Sequence, residues 1–453
     1  MPASSRLDPV TGHRVSSAPA LPVDHDVVVG PQHKSFPPQR WGTTVGELAA
    51  ARPELAEMST PVLALDSAIV DSNLEAMRSW VSQHDLDLAP HGKTTMAPQL
   101  WQRAFDHGAQ TLTLATPWQV QVARAAGVTS VMLANTLVDP QAIRWVSAEL
   151  DADPGFAFTS WVDSPDAVRT LLEVRESAGA LRPLDVVVEL GGSGGRTGAR
   201  SVAEALEVAH LVASAPGVRL VGCGGYEGAL AHDRSEAGTS AVRDYLRAVS
   251  DLHRSLEALG LYETTSAVVT VGGSAYFDLV ADELSSLVDR GGSRGIATTV
   301  LLRSGAYVIH DDGFYRDISP LGDAAEGPGP RLRSAMHAYV RVVSRPETGL
   351  AVFDAGKRDL PFDEGLPVPR AVVGLDRARS DAALAGAAVT ALNDQHGFLH
   401  LGPAGDAAVS VGTVVRLGLS HPCTALDKWR LVPVIDDHTA DRPRVVDAIA
   451  TWF

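Results

Sequence analysis

Residues 111–135, TLTLATPWQVQVARAAGVTSVMLAN, set two short β-branched runs on either side of a helical stretch. Such runs read as buried strands, and a helix between two of them predicts a parallel crossover. The alternation continues in both directions. Upstream lie PVLALD at 61–66 and LDLAP at 86–90. Downstream lie FAFTSWVD at 156–163, DVVVEL at 185–190, RLVGC at 219–223, AVVTVGG at 267–273 and TVLLRSG at 299–305. Ser164-Pro165-Asp166 predicts a helix start, with Ser as N-cap and Pro in the first turn, ahead of Ala167, Leu171 and Leu172. Alternation over about 250 residues predicts an α/β fold, and at that length an eight-stranded (β/α)8 TIM-type barrel over an open sheet. The strand-like runs number nine, one more than a barrel holds, so one at either end belongs elsewhere.

After residue 310 the texture changes. Gly-Pro-Gly-Pro at 327–330 marks a loop. Beyond it, AYVRVVS (338–344), LAVFDAG (350–356), AAVTALN (387–393), TVVRLGLS (413–420) and WRLVPVI (429–435) follow without long helices between them. This predicts a second, mainly antiparallel β domain. The expected division is an extended arm at 1–40, a barrel at 41–315 and the β domain at 316–453.

The chain has 453 residues, 45% hydrophobic and 20% charged, as in an ordinary globular protein. Its net charge of −16 argues against nucleic acid or an anionic membrane as main partner. Met1–Arg14 lacks an apolar core, so no secretory leader is read there. Two cysteines, Cys223 and Cys423, cannot build a disulfide framework, and the reducing cytoplasm is the expected compartment.

In a parallel barrel the chemistry sits at the carboxyl ends of the strands. The second run ends in Pro90-His91-Gly92-Lys93-Thr94. A P-loop would need Gly at position 87, where the chain has Asp87, so the nucleotide reading fails. Lys93 at that mouth is either a solvated lysine or an amine nucleophile with a lowered pKa. Gly272-Gly273-Ser274 follows a strand and opens a helix, as a phosphate cradle or as a tight turn that needs glycine. Arg196, in the loop Gly191-Gly192-Ser193-Gly194-Gly195-Arg196-Thr197-Gly198, could reach a ligand in the mouth, or is a surface charge on a flexible turn. His421 and Cys423 are two apart in an extended segment and project to one side. Imidazole and thiolate together suit Zn²⁺, leaving open positions for water or substrate, although Cys423 can also be plain core. Cys223, His91 and His396 read first as packed structural residues.

Taken together, these pieces resemble the pyridoxal-phosphate (PLP) enzymes with an alanine-racemase-like barrel, in the D-serine dehydratase and D-threonine aldolase branch. The resemblance rests on Pro90-His91-Gly92-Lys93-Thr94, Thr60-Pro61 before Asp66, Gly272-Gly273-Ser274, and Arg303-x-Gly305-x-Tyr307. Asp354-Ala355-Gly356-Lys357, Gln395-His396-Gly397 and His421-x-Cys423 extend it in family order. It implies that Lys93 carries the cofactor and removes the α-proton, with His91 beside it. It implies that Gly272, Gly273 and Ser274 hold the phosphate, and that Arg196 and Tyr226 surround the ring. His421 and Cys423 would ligate Zn²⁺ or another divalent metal. A head-to-tail homodimer is also implied, with the partner's β domain closing the barrel mouth.

The implied activity is a lyase that converts a β-hydroxy D-amino acid, D-serine or a D-threonine-like one, to a 2-oxo acid and ammonia. Cys423 stands where aldolase relatives carry Asp, which favours dehydration over retro-aldol cleavage to glycine and an aldehyde. A racemase needs a second acid/base that the sequence does not place. A PLP-binding protein without turnover is usually a lone barrel, and a sugar-phosphate enzyme requires Lys93 to be idle. The motif rim departs from the family: Ala89 replaces the usual Arg, Thr95-Met96 the usual His-Lys, and Asp394-Gln395 two glutamates. The cofactor core is kept, and the side chain accepted is left open.

Overall fold

The computed structural model describes residues 6–7, 14–15, 20–323, 325 and 329–453. Most of Met1–Arg14, and Gly327 and Pro328 of the expected loop, lie outside the described residues. The chain forms two compact units. One comprises Met1–Leu21, Met77–Lys93 and Trp101–Gly305; the other comprises Pro22–Ala76, Thr94–Leu100 and Ala306–Phe453.

Strands are numbered here from β1, Val62–Asp66. The first unit holds β2 (Asp87–Leu88), β3 (Leu112–Leu114), β4 (Ser130–Thr136), β5 (Ala157–Val162), β6 (Leu184–Glu189), β7 (Val218–Gly224), β8 (Ser266–Val271) and β9 (Ala297–Leu302). They form one eight-stranded parallel sheet in the order β2-β9-β8-β7-β6-β5-β4-β3. Its two edges meet. His91, just past β2, bridges Thr113 of β3 in parallel, and Thr113 N and Oγ1 donate to Pro90 O (3.0 Å) and Ala89 O (2.8 Å). Curling until the edges pair removes them, which is why so short a strand as β2 can stand in the sheet. Ala89, Met132, Trp161, Val187, Val221, Val268 and Leu301 pack together inside, so the barrel is a filled core.

Helices cover the crossovers, and their starts follow local chemistry. Ser164 Oγ accepts from Ala167 N ahead of the helix Pro165–Ser177, as the Ser-Pro-Asp pattern predicts.

The second unit is built on a nine-stranded, mainly antiparallel sheet. It contains β1, β10 (Met336–Glu347), β11 (Leu350–Phe353), β12 (Val368–Val372), β13 (Ala388–Leu392), β14 (Gly397–His400), β15 (Val414–Gly418), β16 (Leu431–Ile435) and β17 (Val445–Ala450). The surplus strand is therefore PVLALD: β1 pairs antiparallel with β10 and parallel with β16. This shifts the division away from a barrel beginning at 41, because residues 41–76 run with the second unit. The described part of the arm is packed as well. Val29 and Phe36 are buried against Val62, Leu431 and Ile435 in the core of the second unit.

Several resemblance motifs serve this unit structurally. Thr60 Oγ1 donates to Asp354 Oδ2 at 2.6 Å, and Asp354 Oδ1 accepts from Arg341 N. Gln395-His396-Gly397 makes the β13–β14 turn, where any side chain at Gly397 would strike the Phe353 ring. His396 is exposed.

Candidate active site and metal pair

The seam of the barrel is also the site of Lys93. After β2 the chain passes through His91 into a one-turn 3-10 helix, Gly92–Thr94. Space fixes its path. A Cβ on Gly92 would stand 2.9 Å from both Leu112 and the Trp101 indole, and one on Gly305 would stand 2.5 Å from His91 O. Lys93 is partly exposed at the strand's carboxyl end. His91 Nδ1 is buried without a hydrogen-bond partner among the described residues. Burial, then the charges of Lys93, Arg303 and Arg196, hold its pKa well below the usual imidazole range, so the ring is neutral. The four side chains thus share one electrostatic neighbourhood, and it is cationic.

Arg303, at the end of β9, is the most constrained of them. It is buried, Nη1 donates to Thr270 Oγ1 at 2.7 Å and Nη2 to Gly225 O at 2.5 Å, and its guanidinium lies 4.6 Å from the Trp161 ring. Burial lowers its pKa, opposed by Glu227 among others. Arg196 lies over the Tyr226 ring at 5.3 Å, in a small open cleft lined also by Glu189, Thr197 and Leu230. Its loop is held rather than flexible. The Arg200 guanidinium donates to the carbonyls of Gly192, Gly195, Arg196 and Thr197. Glu189 is buried, with Oε1 on the Thr197 hydroxyl and Oε2 without a partner among the described residues, and burial raises its pKa.

The Gly272-Gly273-Ser274 turn carries an occupant. Gly272 N and Gly273 N donate to the two oxygens of Glu227, at 3.0 and 2.6 Å, and Glu227 is fully buried. Gly272 has φ +94°, and a Cβ at Gly273 would stand 2.8 Å from Tyr226. The two glycines therefore anchor a carboxylate and admit the Tyr226 ring, while Ser274 follows them, buried.

These residues fit an anionic, amine-reactive cofactor. Lys93 offers the amine, and Arg196, Arg303 and the neutral His91 surround it with positive charge and an unmet polar atom. Within that set the two glycine amides are engaged by Glu227, with Ser274 next to them. Cys223 is buried and its thiol is pushed up to about 12, so it is packed and inert, as expected.

His421 and Cys423 lie in the second unit, at the start of the short helix Pro422–Leu426. His421 Nδ1 donates to Asp363 Oδ2 at 2.7 Å, Thr424 Oγ1 donates to Asp363 Oδ1 at 2.6 Å, and the Cys423 thiol donates to Thr94 Oγ1 at 3.3 Å. Burial pulls the His421 pKa down, but hydrogen bonding and charge from Cys423 and then Asp363 outweigh it and raise it to about 9. A nitrogen–sulfur pair with an orienting carboxylate suits a divalent metal such as Zn²⁺. A second group, Asp66, His337 and His438, keeps its ligand atoms within 4.8 Å of one another. Asp66 caps Ile69 N and accepts from His438 N and Nδ1, and Arg416 donates to His337 Nδ1, while His337 Nε2 is buried without a hydrogen-bond partner among the described residues.

Sequence reasoning had not singled out Glu227, Glu189, Arg200, Asp363 or Thr94 as site residues. Only adjacency to Tyr226, Arg196 and Lys93 could have flagged Glu227, Arg200 and Thr94.

Residues 65–285 match the family model "Alanine racemase, N-terminal domain", and residues 335–435 match "Putative serine dehydratase domain". The chain is 27% identical over 371 residues to a D-threonine aldolase of an Arthrobacter species, covering 81% of this chain and 86% of the relative. The crystal structure of a D-threonine aldolase from Filomicrobium marinum has a TM-score of 0.70 at 25% identity, over 88% of this chain and 97% of that one. A D-threo-3-hydroxyaspartate dehydratase from Delftia sp. HT23 shares the fold, with a TM-score of 0.67 at 19% identity, over 88% and 99% of the two chains. Among the described residues no helix is long and apolar enough to cross a membrane. Both domain models lie in order along the chain, which has the alanine-racemase-like fold and joins a racemase N-terminal domain to a serine dehydratase domain.

Proposed function

We propose that the protein is a PLP-dependent lyase that dehydrates and deaminates a β-hydroxy D-amino acid to a 2-oxo acid and ammonia. The observation that carries the reading is the His421–Cys423 pair with His421 oriented by Asp363. Both residues fall within the match to the serine dehydratase model. Structures of D-threo-3-hydroxyaspartate dehydratase include variants of a histidine and of a cysteine two positions apart, the cysteine variant being metal-free. That is the spacing of His421 and Cys423.

When bound, PLP supplies an electron sink for the pair left at Cα, and a divalent metal supplies polarisation of the β-hydroxyl as a Lewis acid. Lys93 Nζ would hold the cofactor and would take the α-proton. His91 stays neutral, so its Nδ1 can accept or keep a hydrogen bond without adding charge. Arg196 and Arg303 balance the anionic groups of cofactor and substrate. A homodimer in the cytoplasm is part of the same proposal.

Retro-aldol cleavage is the second reading, favoured by the D-threonine aldolase relative. Products separate the two. With PLP and Zn²⁺, D-serine, D-threonine and 3-hydroxy-D-aspartate are each assayed for ammonia, 2-oxo acid, glycine and aldehyde. Ammonia with 2-oxo acid supports the first reading; glycine with aldehyde and no ammonia replaces it with the second.

A further inference from the structure

We infer that Asp363 and Thr94 are positioning residues for the metal pair: Asp363 keeps the proton on His421 Nδ1, leaving Nε2 as ligand, and Thr94 holds the Cys423 sulfur. The inference rests on the metal reading proposed above and names the residues that hold that site in register. The Asp363 carboxylate accepts from His421 Nδ1 (2.7 Å) with one oxygen and from the Thr424 hydroxyl (2.6 Å) with the other. Both of its oxygens are thus engaged by one turn, 421–424, which makes it a support of that turn rather than a ligand. A carboxylate can only accept here, so Nδ1 must carry the hydrogen and the lone pair must sit on Nε2. Metal-bound imidazoles are typically fixed in this way, by a carboxylate or carbonyl on the other nitrogen.

Thr94 does the same for sulfur by a reversible contact. The thiol donates to Thr94 Oγ1 at 3.3 Å. Metal binding requires the thiolate and releases its proton to solvent. A hydroxyl both accepts and donates, so Thr94 can turn its own O–H toward the thiolate and keep the contact. Asp363 lies 58 positions before His421, and Thr94 lies 329 before Cys423, at the end of the Pro-His-x-Lys-Thr motif. The motif therefore contributes to the metal pair as well as to Lys93.

The test is titration of the metal-free protein with Co²⁺, reading affinity and the thiolate-to-cobalt charge-transfer band. Asp363→Asn, Thr94→Val, Thr94→Ser and His421→Ala are compared after circular dichroism and PLP absorbance confirm that each is folded. Asp363→Asn is expected to weaken Co²⁺ binding by about 10–100-fold with the band retained. Thr94→Val is expected to move the band to longer wavelength, because the thiolate loses a donor, and Thr94→Ser to restore it. Binding by Asp363→Asn within about twofold of wild type, or as crippled as in His421→Ala, overturns the role of Asp363. An unmoved band in Thr94→Val overturns that of Thr94. Wild-type protein that gives no such band fails at the earlier step, the metal reading itself.

Discussion

His91 and His421 are the same side chain in opposite states. His91 sits at the barrel seam among Lys93, Arg303 and Arg196, and is held neutral by burial and by those cations. His421 sits between Asp363 and Cys423 and keeps a proton up to about 9. Each environment suits what its neighbours must do. A neutral ring leaves the barrel's cations free to meet an anionic cofactor, whereas an imidazole with its Nδ1 proton fixed can exchange what it holds at Nε2 for a metal. The two also act on stability in opposite directions. For His91 the unfolded chain binds the proton more readily, so stability falls as pH drops below about 6.5. For His421 the folded state binds it more readily, so the metal-free protein has this contribution in full below 6.5 and loses it as pH rises through about 9.

The sharpest way to break the comparison is at the lysine beside His91. Lys93→Ala should abolish the absorbance band of the lysine-bound cofactor and lower turnover by about 10³-fold or more. Retained colour and activity would remove the catalytic meaning of the barrel mouth. Next comes the proton on His421. Because the metal must displace it together with the Cys423 thiol proton, Co²⁺ affinity of the metal-free protein should rise more steeply than about tenfold per pH unit below about 9. A rise of only about tenfold per pH unit between pH 6.5 and 8.5, the thiol proton alone, would say that His421 is already neutral (a window set by the pKa of about 9).

The cationic side can be tested through Arg303. Arg303→Met leaves Gly225 O without its donor, removes one partner of Thr270 Oγ1 and takes a positive charge from beside buried Glu227, and should cost about 2–4 kcal/mol in urea unfolding. The smallest effect expected is from Gly273→Ala. Its methyl would press on Tyr226, for about 1–2 kcal/mol, with weaker cofactor binding because Arg196 lies over that ring. A stability change without a change in PLP affinity would detach Tyr226 from the cofactor.

Much of the architecture was legible because strand and helix periodicities are local. The β-branched runs from 86 to 305 marked all eight barrel strands, and the count of nine already required one to leave. That it was PVLALD depended on pairing with β10 and β16, far along the chain, which no local pattern encodes. The site divides likewise. Lys93, Arg196 and His421-x-Cys423 stand out because rare residues sit at strand ends. Glu227 does not, since nothing in a Tyr-Glu-Gly run says that a carboxylate will turn inward onto the Gly272 and Gly273 amides. Nor could sequence say which of Arg196 and Arg200 clamps the loop and which faces the cleft. Partners set by folding, such as Asp363 for His421, become visible only once the chain has closed on itself.

The join between His91 and Thr113 gives the molecule a weak point with a particular address. Seven of the barrel's neighbouring strand pairs are ladders, but the eighth is a single bridge, and the residue after next is Lys93. A hoop fastened by one clasp springs open there first. Warmed or aged protein should therefore fade in colour, as the lysine loses its cofactor, while its helices still read as intact. The useful shelf life of such a preparation would be set by one stitch, well before the melting of the whole.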